Sequence, residues 1–300
     1  MTASDFSIRQ IPASQYYPVH LHTDELLLYV VQNAFGKMVV SEQGAQVLSF
    51  IPDNQSDLLW LSPLAQFTAG KAIRGGIPVC LPWFGVNRHA ANTPSHGFAR
   101  NVNWQLATVS QAQHSQLGDC TQLVFTLAQF ADQPHTLFPF SFSAQLSFSF
   151  NQSLAIDLQL TNTGGEAFPL SWALHSYHPV NDLSKVKVKG LDGVSYLDNI
   201  RSLERRVQQG DVGFAGEVDR VFIDVPGAQQ IDDIAIAATG SATAIVWNPG
   251  YDKACAMADL GGEHYRQFVC VERGNAFDNE LRLLPGASTL ASVTISRTKL

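Results

Sequence analysis

The chain has 300 residues, of which 45% are hydrophobic and 15% are charged, and its formal net charge is −7. This composition indicates a globular protein with a large core, and the lack of a basic excess argues against nucleic acid as a partner. The first ten residues are polar, and the longest apolar run (26–31) is too short to cross a bilayer. We therefore expect a cytoplasmic protein without a membrane partner.

Apolar residues alternate with polar ones along most of the chain. Two apolar segments, 35–40 and 45–51, are separated by a turn at Gly44. Alternation returns at 123–127 and at 291–295, and most clearly at 142–150 and 154–160, which predict a long antiparallel hairpin. No segment has the pattern of an amphipathic helix of ten or more residues. We predict an all-β protein, a large antiparallel sandwich that forms one domain over residues 1–300.

Two glycine-rich motifs in the first third carry arginines. Residues 74–78 (RGGIP) contain Arg74, and residues 96–100 (HGFAR) contain His96 and Arg100. A guanidinium group binds phosphate or carboxylate through a flat fork of donors, and glycine allows the main chain to approach a ligand closely. The motifs therefore predict an anion site beside a sugar-sized pocket.

Two later segments carry candidate proton-transfer groups. His175 lies near the end of a predicted strand that begins near residue 167, and it shares a face with Tyr177, whereas His178 points the other way. Glu272 ends the apolar segment 268–272 (FVCVE) and faces inward, where burial tunes a carboxylate for acid–base work. The alternatives are a hydrogen-bonded sheet histidine and an exposed glutamate paired with Arg273.

Three further features have both a functional and a structural interpretation. Asp219 lies inside a strand-like segment, where aspartate is disfavoured, so it either binds a ligand or pairs with Arg220 or Arg201. His20 and His22 have same-face spacing, but no third metal ligand lies nearby in the sequence. The four cysteines are unpaired in spacing, and we expect reduced, mostly buried thiols. They are Cys80, Cys120, Cys255 and Cys270.

In order, these motifs resemble the aldose 1-epimerase (galactose mutarotase-like) superfamily, and within it the glucose-6-phosphate 1-epimerase branch. The resemblance spans about residues 35–295. The matching segments are 44–49 (GAQVLS), 59–62 (LWLS), 74–78 (RGGIP), 82–85 (PWFG), 96–100 (HGFAR), 174–177 (LHSY), 190–193 (GLDG), 219–220 (DR), 246–249 (VWNP) and 268–272 (FVCVE).

The resemblance implies a β-supersandwich with its site in a concave face. By position in the motifs, His175 would be the general acid and Glu272 the general base of ring opening. His96 would assist at the ring oxygen, and Asp219 would hold sugar hydroxyls. The phosphate would be bound by arginines, namely Arg74 and Arg100, and whether Arg88 joins them stays open.

Such an isomerase would interconvert the α and β anomers of glucose 6-phosphate as a monomer, with no cofactor and no metal. Both proton-transfer groups should have pKa values near the working pH, with Glu272 ionised and His175 protonated. Three alternatives stay open: an epimerase of neutral aldoses, a non-catalytic carbohydrate-binding sandwich, and a glycosidase. The last requires two carboxylates, for which Asp219 is the only candidate partner of Glu272.

Overall fold

The structure, a computed structural model, describes residues 6–130 and 135–298. The strands before residue 130 are β1 (Phe6–Pro12), β2 (Leu21–His22), β3 (Leu27–Asn33), β4 (Gly36–Ser41), β5 (Gln46–Pro52), β6 (Gln66–Phe67), β7 (Val79–Cys80), β8 (Gln105–His114) and β9 (Gly118–Gln129). Those that follow are β10 (Phe142–Phe150), β11 (Leu154–Asn162), β12 (Phe168–Leu170), β13 (Trp172–Leu174), β14 (Tyr177–Pro179), β15 (Val188–Lys189), β16 (Ser195–Asp198), β17 (Glu204–Val207), β18 (Val218–Phe222), β19 (Gln229–Ile231), β20 (Ile234–Thr239), β21 (Thr243–Asn248), β22 (Phe268–Asn275), β23 (Leu281–Leu283) and β24 (Ser288–Arg297).

Helices are few and short. The two α-helices are α1 (Ala13–Tyr16) and α2 (Gly250–Cys255), and the single 3₁₀ turns are Ala99–Asn101, Asn199–Arg201, Tyr265–Gln267 and Phe277–Asn279. Within residues 6–130 and 135–298, none of these helices has the length and apolar character that a membrane crossing requires.

Two large antiparallel sheets dominate the fold. The first eight-stranded sheet has the order β15-β19-β20-β24-β11-β10-β9-β8. The second has the order β17-β16-β18-β21-β22-β13-β7, and its eighth strand, β14, also pairs with β22. A four-stranded sheet, β1-β3-β4-β5, and the two-stranded sheets β12-β23 and β2-β6 complete the fold. The predicted all-β, antiparallel class is confirmed.

The strands predicted from alternation form as expected. The hairpin of β10 and β11 pairs Phe142 with Asn162 at one end and Phe150 with Leu154 at the other. Its neighbours β9 and β24 contain the alternating segments 123–127 and 291–295. Strands β4 and β5 form the earlier pair, with a register shift after Val39.

One buried cluster joins the two large sheets. Phe148, Leu158 and Val293 enter it from the first sheet, and Val246 and Val271 enter it from the second. All five side chains are at least 98% buried. Burial of this kind contributes about 1.5–3 kcal/mol for each large apolar side chain, so this cluster is the main source of stability.

The other face of the second sheet carries polar groups. In the register of β18, β21 and β22, Asp219 lies opposite Trp247, which lies opposite Cys270, and Ile245 lies opposite Glu272. Opposed residues, and residues two apart on a strand, share a face of the sheet. These five residues therefore lie together, on the face turned away from the large core.

His175 lies at a break that the sequence analysis missed. The predicted continuous strand is three short strands, and β13 ends at Leu174 before β14 begins at Tyr177. The backbone N–H of His175 donates to the Pro78 carbonyl at 2.9 Å, and that of Tyr177 donates to the Gly76 carbonyl at 2.9 Å. Because the backbone here binds the 74–78 loop, His175 leaves the ladder and its side chain is free to turn toward β22.

The 96–100 motif is held against β7 by a close backbone contact. Gly97 has φ +66° and forms a bridge with Leu81, and a Cβ on Gly97 would overlap the Leu81 carbonyl oxygen. The N–H groups of Phe98 and Ala99 both donate to that same carbonyl, at 3.0 and 3.1 Å. Glycine is thus required for the placement of His96 and Arg100.

We expect Gly97→Ala to lower the free energy of unfolding by about 2–4 kcal/mol, because it combines a left-handed backbone with a collision. Gly118 is the matched control, since its φ is +72° but a Cβ at this position would have no other atom within 4 Å. Gly118→Ala should cost only about 1 kcal/mol. Equal losses in urea unfolding of the two variants would contradict the role of the close contact.

His178 generates a second prediction, about acid stability. Its ring is fully buried, with Nδ1 3.0 Å from the Leu58 carbonyl oxygen, and burial lowers its pKa to about 4. A histidine with a depressed pKa stabilises the fold fully above its unfolded pKa, and this contribution is lost as the pH falls toward the folded pKa. Between pH 7 and pH 4.5 we expect a loss of about 2–3 kcal/mol from this group.

Urea unfolding of the native protein and of His178→Gln at both pH values isolates this effect. The variant should be less stable at pH 7, yet it should lose less stability on acidification than the native protein. An identical pH dependence of the two proteins would contradict it.

Candidate active site

All six residues singled out in the sequence line one cavity of about 470 Å³. They come from distant parts of the chain, and they are Arg74, His96, Arg100, His175, Asp219 and Glu272. The loops before and after β7 supply the first three, the β13–β14 break supplies His175, and strands β18 and β22 supply the two carboxylates. The structure brings together every predicted site residue.

His175 and Glu272 form a close, buried pair. His175 Nε2 lies 3.4 Å from Glu272 Oε1, and the two side chains are 10% and 1% exposed. The His175 ring stacks on Tyr177 with centroids 4.9 Å apart, and it meets Trp247 edge-on at 5.8 Å. Among the described residues, neither His175 Nδ1 nor Glu272 Oε2 has a hydrogen-bond partner. Both residues line the cavity, and each keeps one buried polar atom without a hydrogen bond.

Glu272 does not pair with Arg273, the alternative left open by the sequence. The Arg273 guanidinium points to the opposite side, where it donates to the Gly227 carbonyl at 2.9 Å and to the Gln229 side chain at 2.8 Å. Successive residues of a strand face opposite sides, so the pairing is excluded by the strand itself.

Burial controls the ionisation of the pair. It raises the pKa of Glu272 well above its ordinary value and lowers the pKa of His175 well below its ordinary value, because both charged forms lose water contact. The Asp219 charge adds to the rise, and His96 and the two cavity arginines add to the fall. Burial thus opposes both charged forms, and the expectation of an ionised Glu272 and a protonated His175 in the competent enzyme stays a prediction. A protonated Glu272 beside a neutral His175 carries the same number of protons as an ionised Glu272 beside a protonated His175.

His96 is neutral and presents a donor. Its Nδ1 accepts a hydrogen bond from the Gly85 N–H at 3.3 Å, which leaves the ring proton of the neutral form on Nε2. Burial and the nearby arginines lower its pKa to about 3. Its ring lies 5.8 Å from that of His175, and its φ is +68°, a strained value of the kind found at functional sites.

The two predicted phosphate-binding arginines differ in their surroundings. Arg74 contacts Asp259 Oδ2 through Nε and Nη2, both at 3.1 Å, and its Nη1 donates to the Tyr177 hydroxyl at 3.0 Å. Arg100 donates from Nη2 to the Ser95 carbonyl at 3.0 Å, and its buried Nε has no partner among the described residues. Arg74 is thus neutralised by a carboxylate, whereas Arg100 keeps an uncompensated charge.

Two more cations line the cavity. The Arg88 guanidinium lies 5.4 Å over the Phe277 ring, and Lys253 Nζ lies 2.7 Å from Glu217 Oε1. Arg88 therefore reaches the same cavity as Arg100, without a carboxylate in contact with it among the described residues. Lys253 has its own acidic partner.

Asp219 is half-buried and faces the cavity. Asn199 donates to its Oδ2 at 2.8 Å, and burial raises the pKa of the carboxyl. The salt-bridge alternatives are wrong, because Arg220 donates to the Gln208 side chain at 2.7 Å and Arg201 lies 3.5 Å from Asp198. The Asp219 carboxylate remains available to a ligand.

The histidines of the N-terminal segment do not form a metal site in this structure. His20 Nε2 lies 3.1 Å from the Ser62 carbonyl oxygen, and His22 Nε2 lies 2.8 Å from the Tyr17 carbonyl oxygen. The His22 ring stacks on Phe67, and the His20 ring meets Phe67 edge-on. The four cysteines are free, and three are buried while Cys255 is exposed, as expected.

Some contributors to the cavity were not found from the sequence. Asp259, which fixes Arg74, and Asn199, which orients Asp219, carried no motif signal. Trp247 also lines the cavity as an aromatic wall.

Several known proteins are similar to this chain in sequence or in fold. A protein of Cenchrus ciliaris named "Putative glucose-6-phosphate 1-epimerase" is 36% identical over 270 residues, covering 84% of this chain and 79% of its own. One of the same name from Escherichia coli K12 is 34% identical over 264 residues, covering 86% of each chain. The crystal structure of "a putative mutarotase" from Salmonella typhimurium has a TM-score of 0.82 at 30% identity, covering 92% of this chain and 91% of that chain.

The family model described as "Aldose 1-epimerase" matches residues 27–296, which include every strand from β3 to β23 and nearly all of β24. The match contains all six cavity residues predicted from the motifs. The chain therefore belongs to the aldose 1-epimerase family and is an enzyme of the sugar epimerase class.

Proposed function

We propose that the protein interconverts the α and β anomers of glucose 6-phosphate, with His175 and Glu272 as the proton-transfer pair. The observation that carries this proposal is the 3.4 Å contact between the two groups inside a cavity that also holds Arg100. The hydroxyl oxygen O1 and the ring oxygen O5 are both bonded to C1 of the sugar. An acid and a base that serve these two atoms must therefore lie close together.

In the ring-opening step, Glu272 takes the proton of the O1 hydroxyl and His175 gives a proton to O5. The electrons of the O1–H bond form the C1–O1 double bond, and the electrons of the C1–O5 bond pass to O5. Rotation about C1–C2 presents the other carbonyl face, and the reverse transfers close the ring. The neutral His96 donates from Nε2 to the ring oxygen as its charge develops.

Phosphate binding favours the protonated form of His175. The charges of Arg100 and Arg74 contribute to the lowered pKa of His175, and the charge of Arg100 also acts to lower the pKa of Glu272, against the larger effect of burial. A phosphate dianion offsets these charges and raises the pKa of both groups, so the imidazole more readily becomes the protonated acid. In this proposal the phosphate therefore acts on the acid as well as on binding.

Arg100 is the principal phosphate ligand in this proposal, because it lines the cavity and has no carboxylate in contact among the described residues. Arg74 is held by Asp259 and anchors the Tyr177 ring, which stacks on His175. Asp219 holds a sugar hydroxyl next to the Trp247 ring.

Glu272→Gln should lower kcat for mutarotation of glucose 6-phosphate by about 10²–10⁴-fold, since the amide has the same shape but accepts no proton. His175→Asn should cause a loss of similar size. Polarimetry or exchange NMR measures both rates. Glu166→Gln and His178→Asn are the matched controls, because neither residue lines the cavity, and both should keep activity per folded molecule. Full activity in either of the first two variants would overturn the assignment.

Arg100→Ala should raise KM for glucose 6-phosphate by about 10–100-fold, because one or two charge-assisted hydrogen bonds to the phosphate are lost. KM for glucose should change much less. Arg282→Ala removes an exposed arginine outside the cavity and is the control. Initial rates over a concentration series of each sugar provide the comparison. A parallel rise for both sugars would show that Arg100 does not bind the phosphate.

A further inference from the structure

Cys270 lies beside the acid–base pair and has no part in the proposed proton transfers. It precedes Glu272 by two residues on β22, so the two side chains share a face of the strand. It also lies opposite Tyr177, whose ring stacks on His175. One donor atom each from His175, Cys270 and Glu272 lie within 4.8 Å of one another, and all three residues are buried.

These three donors are a matched set for one class of metal ion. Thiolate, imidazole and carboxylate are the ligands of Zn²⁺, and three protein ligands with one open position is the arrangement of accessible zinc sites. The second polar atom of each side chain, His175 Nδ1 and Glu272 Oε2, is also buried without a hydrogen-bond partner among the described residues, so neither side chain is committed to another group. The cavity supplies the open position.

We propose that His175, Cys270 and Glu272 form a binding site for Zn²⁺ and similar thiophilic divalent ions, and that its occupation inhibits the enzyme. The binding stands independently of the proposed function, and only the inhibition rests on it. The ion would take the lone pairs of His175 and Glu272 that the proton transfers need. The thiol proton and the proton held by the acid–base pair leave to solvent as the three metal–ligand bonds form.

The site requires a small inward movement. Zinc–sulfur and zinc–nitrogen bonds of about 2.3 and 2.0 Å bring ligand atoms closer than 4.8 Å, so the side chains must approach by about 1 Å. The His175–Glu272 contact of 3.4 Å already has the spacing of two ligands on one ion. His175 lies at the strand break, where the backbone does not hold it in a ladder, so this movement is available.

Cobalt is the first probe, because Co²⁺ bound to a thiolate gives a charge-transfer absorption in the near ultraviolet. The full-length, reduced protein would carry Cys255→Ser, which removes the exposed thiol. We expect the absorption to saturate at one ion per chain and to disappear in the additional variant Cys270→Ser. Cys80→Ser, which removes a neighbouring buried thiol outside the ligand set, should keep it.

The absence of that absorption in the Cys255→Ser protein, or its persistence after Cys270→Ser, would overturn the proposal. The Cys255→Ser protein keeps Cys270, so a missing absorption in that protein would overturn the proposal even if Cys270→Ser fails to fold. It also needs no sugar, so it is independent of whether glucose 6-phosphate is the substrate.

Inhibition is the second readout. Zn²⁺ should suppress the mutarotation of glucose 6-phosphate by the Cys255→Ser protein, compete with the sugar, and be reversed by a chelator. Without metal, Cys270→Ser should keep its rate. Its inhibition constant for Zn²⁺ should rise about tenfold or more, because even the loss of a group that only supports a metal ligand weakens metal binding by about that factor. Unchanged inhibition in Cys270→Ser would overturn the role of the thiol.

Discussion

The contact between His175 and Glu272 is the interaction on which the site depends. Two groups that would carry opposite charges in water lie 3.4 Å apart in a place that excludes water from both. Burial penalises each charge, which raises the pKa of Glu272 and lowers the pKa of His175. The β13–β14 break makes this contact possible, because a continuous strand would hold His175 in the ladder beside β22. Sheet pairing is thus interrupted at the point where the His175 imidazole lies against the buried Glu272 carboxyl.

The charges around the pair are arranged unequally. Arg74 is neutralised by Asp259 and supports Tyr177, so its main effect is on the shape and rigidity of the wall beneath His175. Within the described part of the chain, Arg100 has no carboxylate in contact, and its charge is left to the cavity. In the proposed function an anionic sugar balances this charge, whereas a neutral sugar would leave it unbalanced. The same unpaired charge would then account for selectivity toward a phosphorylated sugar.

Much of this arrangement was predictable from the sequence, and the exceptions share a physical cause. Period-two alternation predicted the β10–β11 hairpin and its neighbours, because one buried face forces that pattern. The motifs also predicted the cavity residues, from Arg74 to Glu272. The strand break was missed, since it depends on hydrogen bonds from residues 175–177 to the 74–78 loop. Asp259 was missed because it is 185 residues from Arg74 in the chain. The opposed pKa shifts of Glu272 and His175 could not be predicted, because burial is a property of the packed sheets, which local sequence does not encode.

The central claim is that the cavity performs anomer interconversion on a phosphorylated sugar. The most direct measurement is the rate of α/β equilibration of glucose 6-phosphate and of glucose, each followed by exchange NMR with the native protein under the same conditions. The account predicts a strong acceleration for glucose 6-phosphate and a clearly smaller kcat/KM for glucose. Equal kcat/KM values for the two sugars, or no acceleration of either, would contradict it.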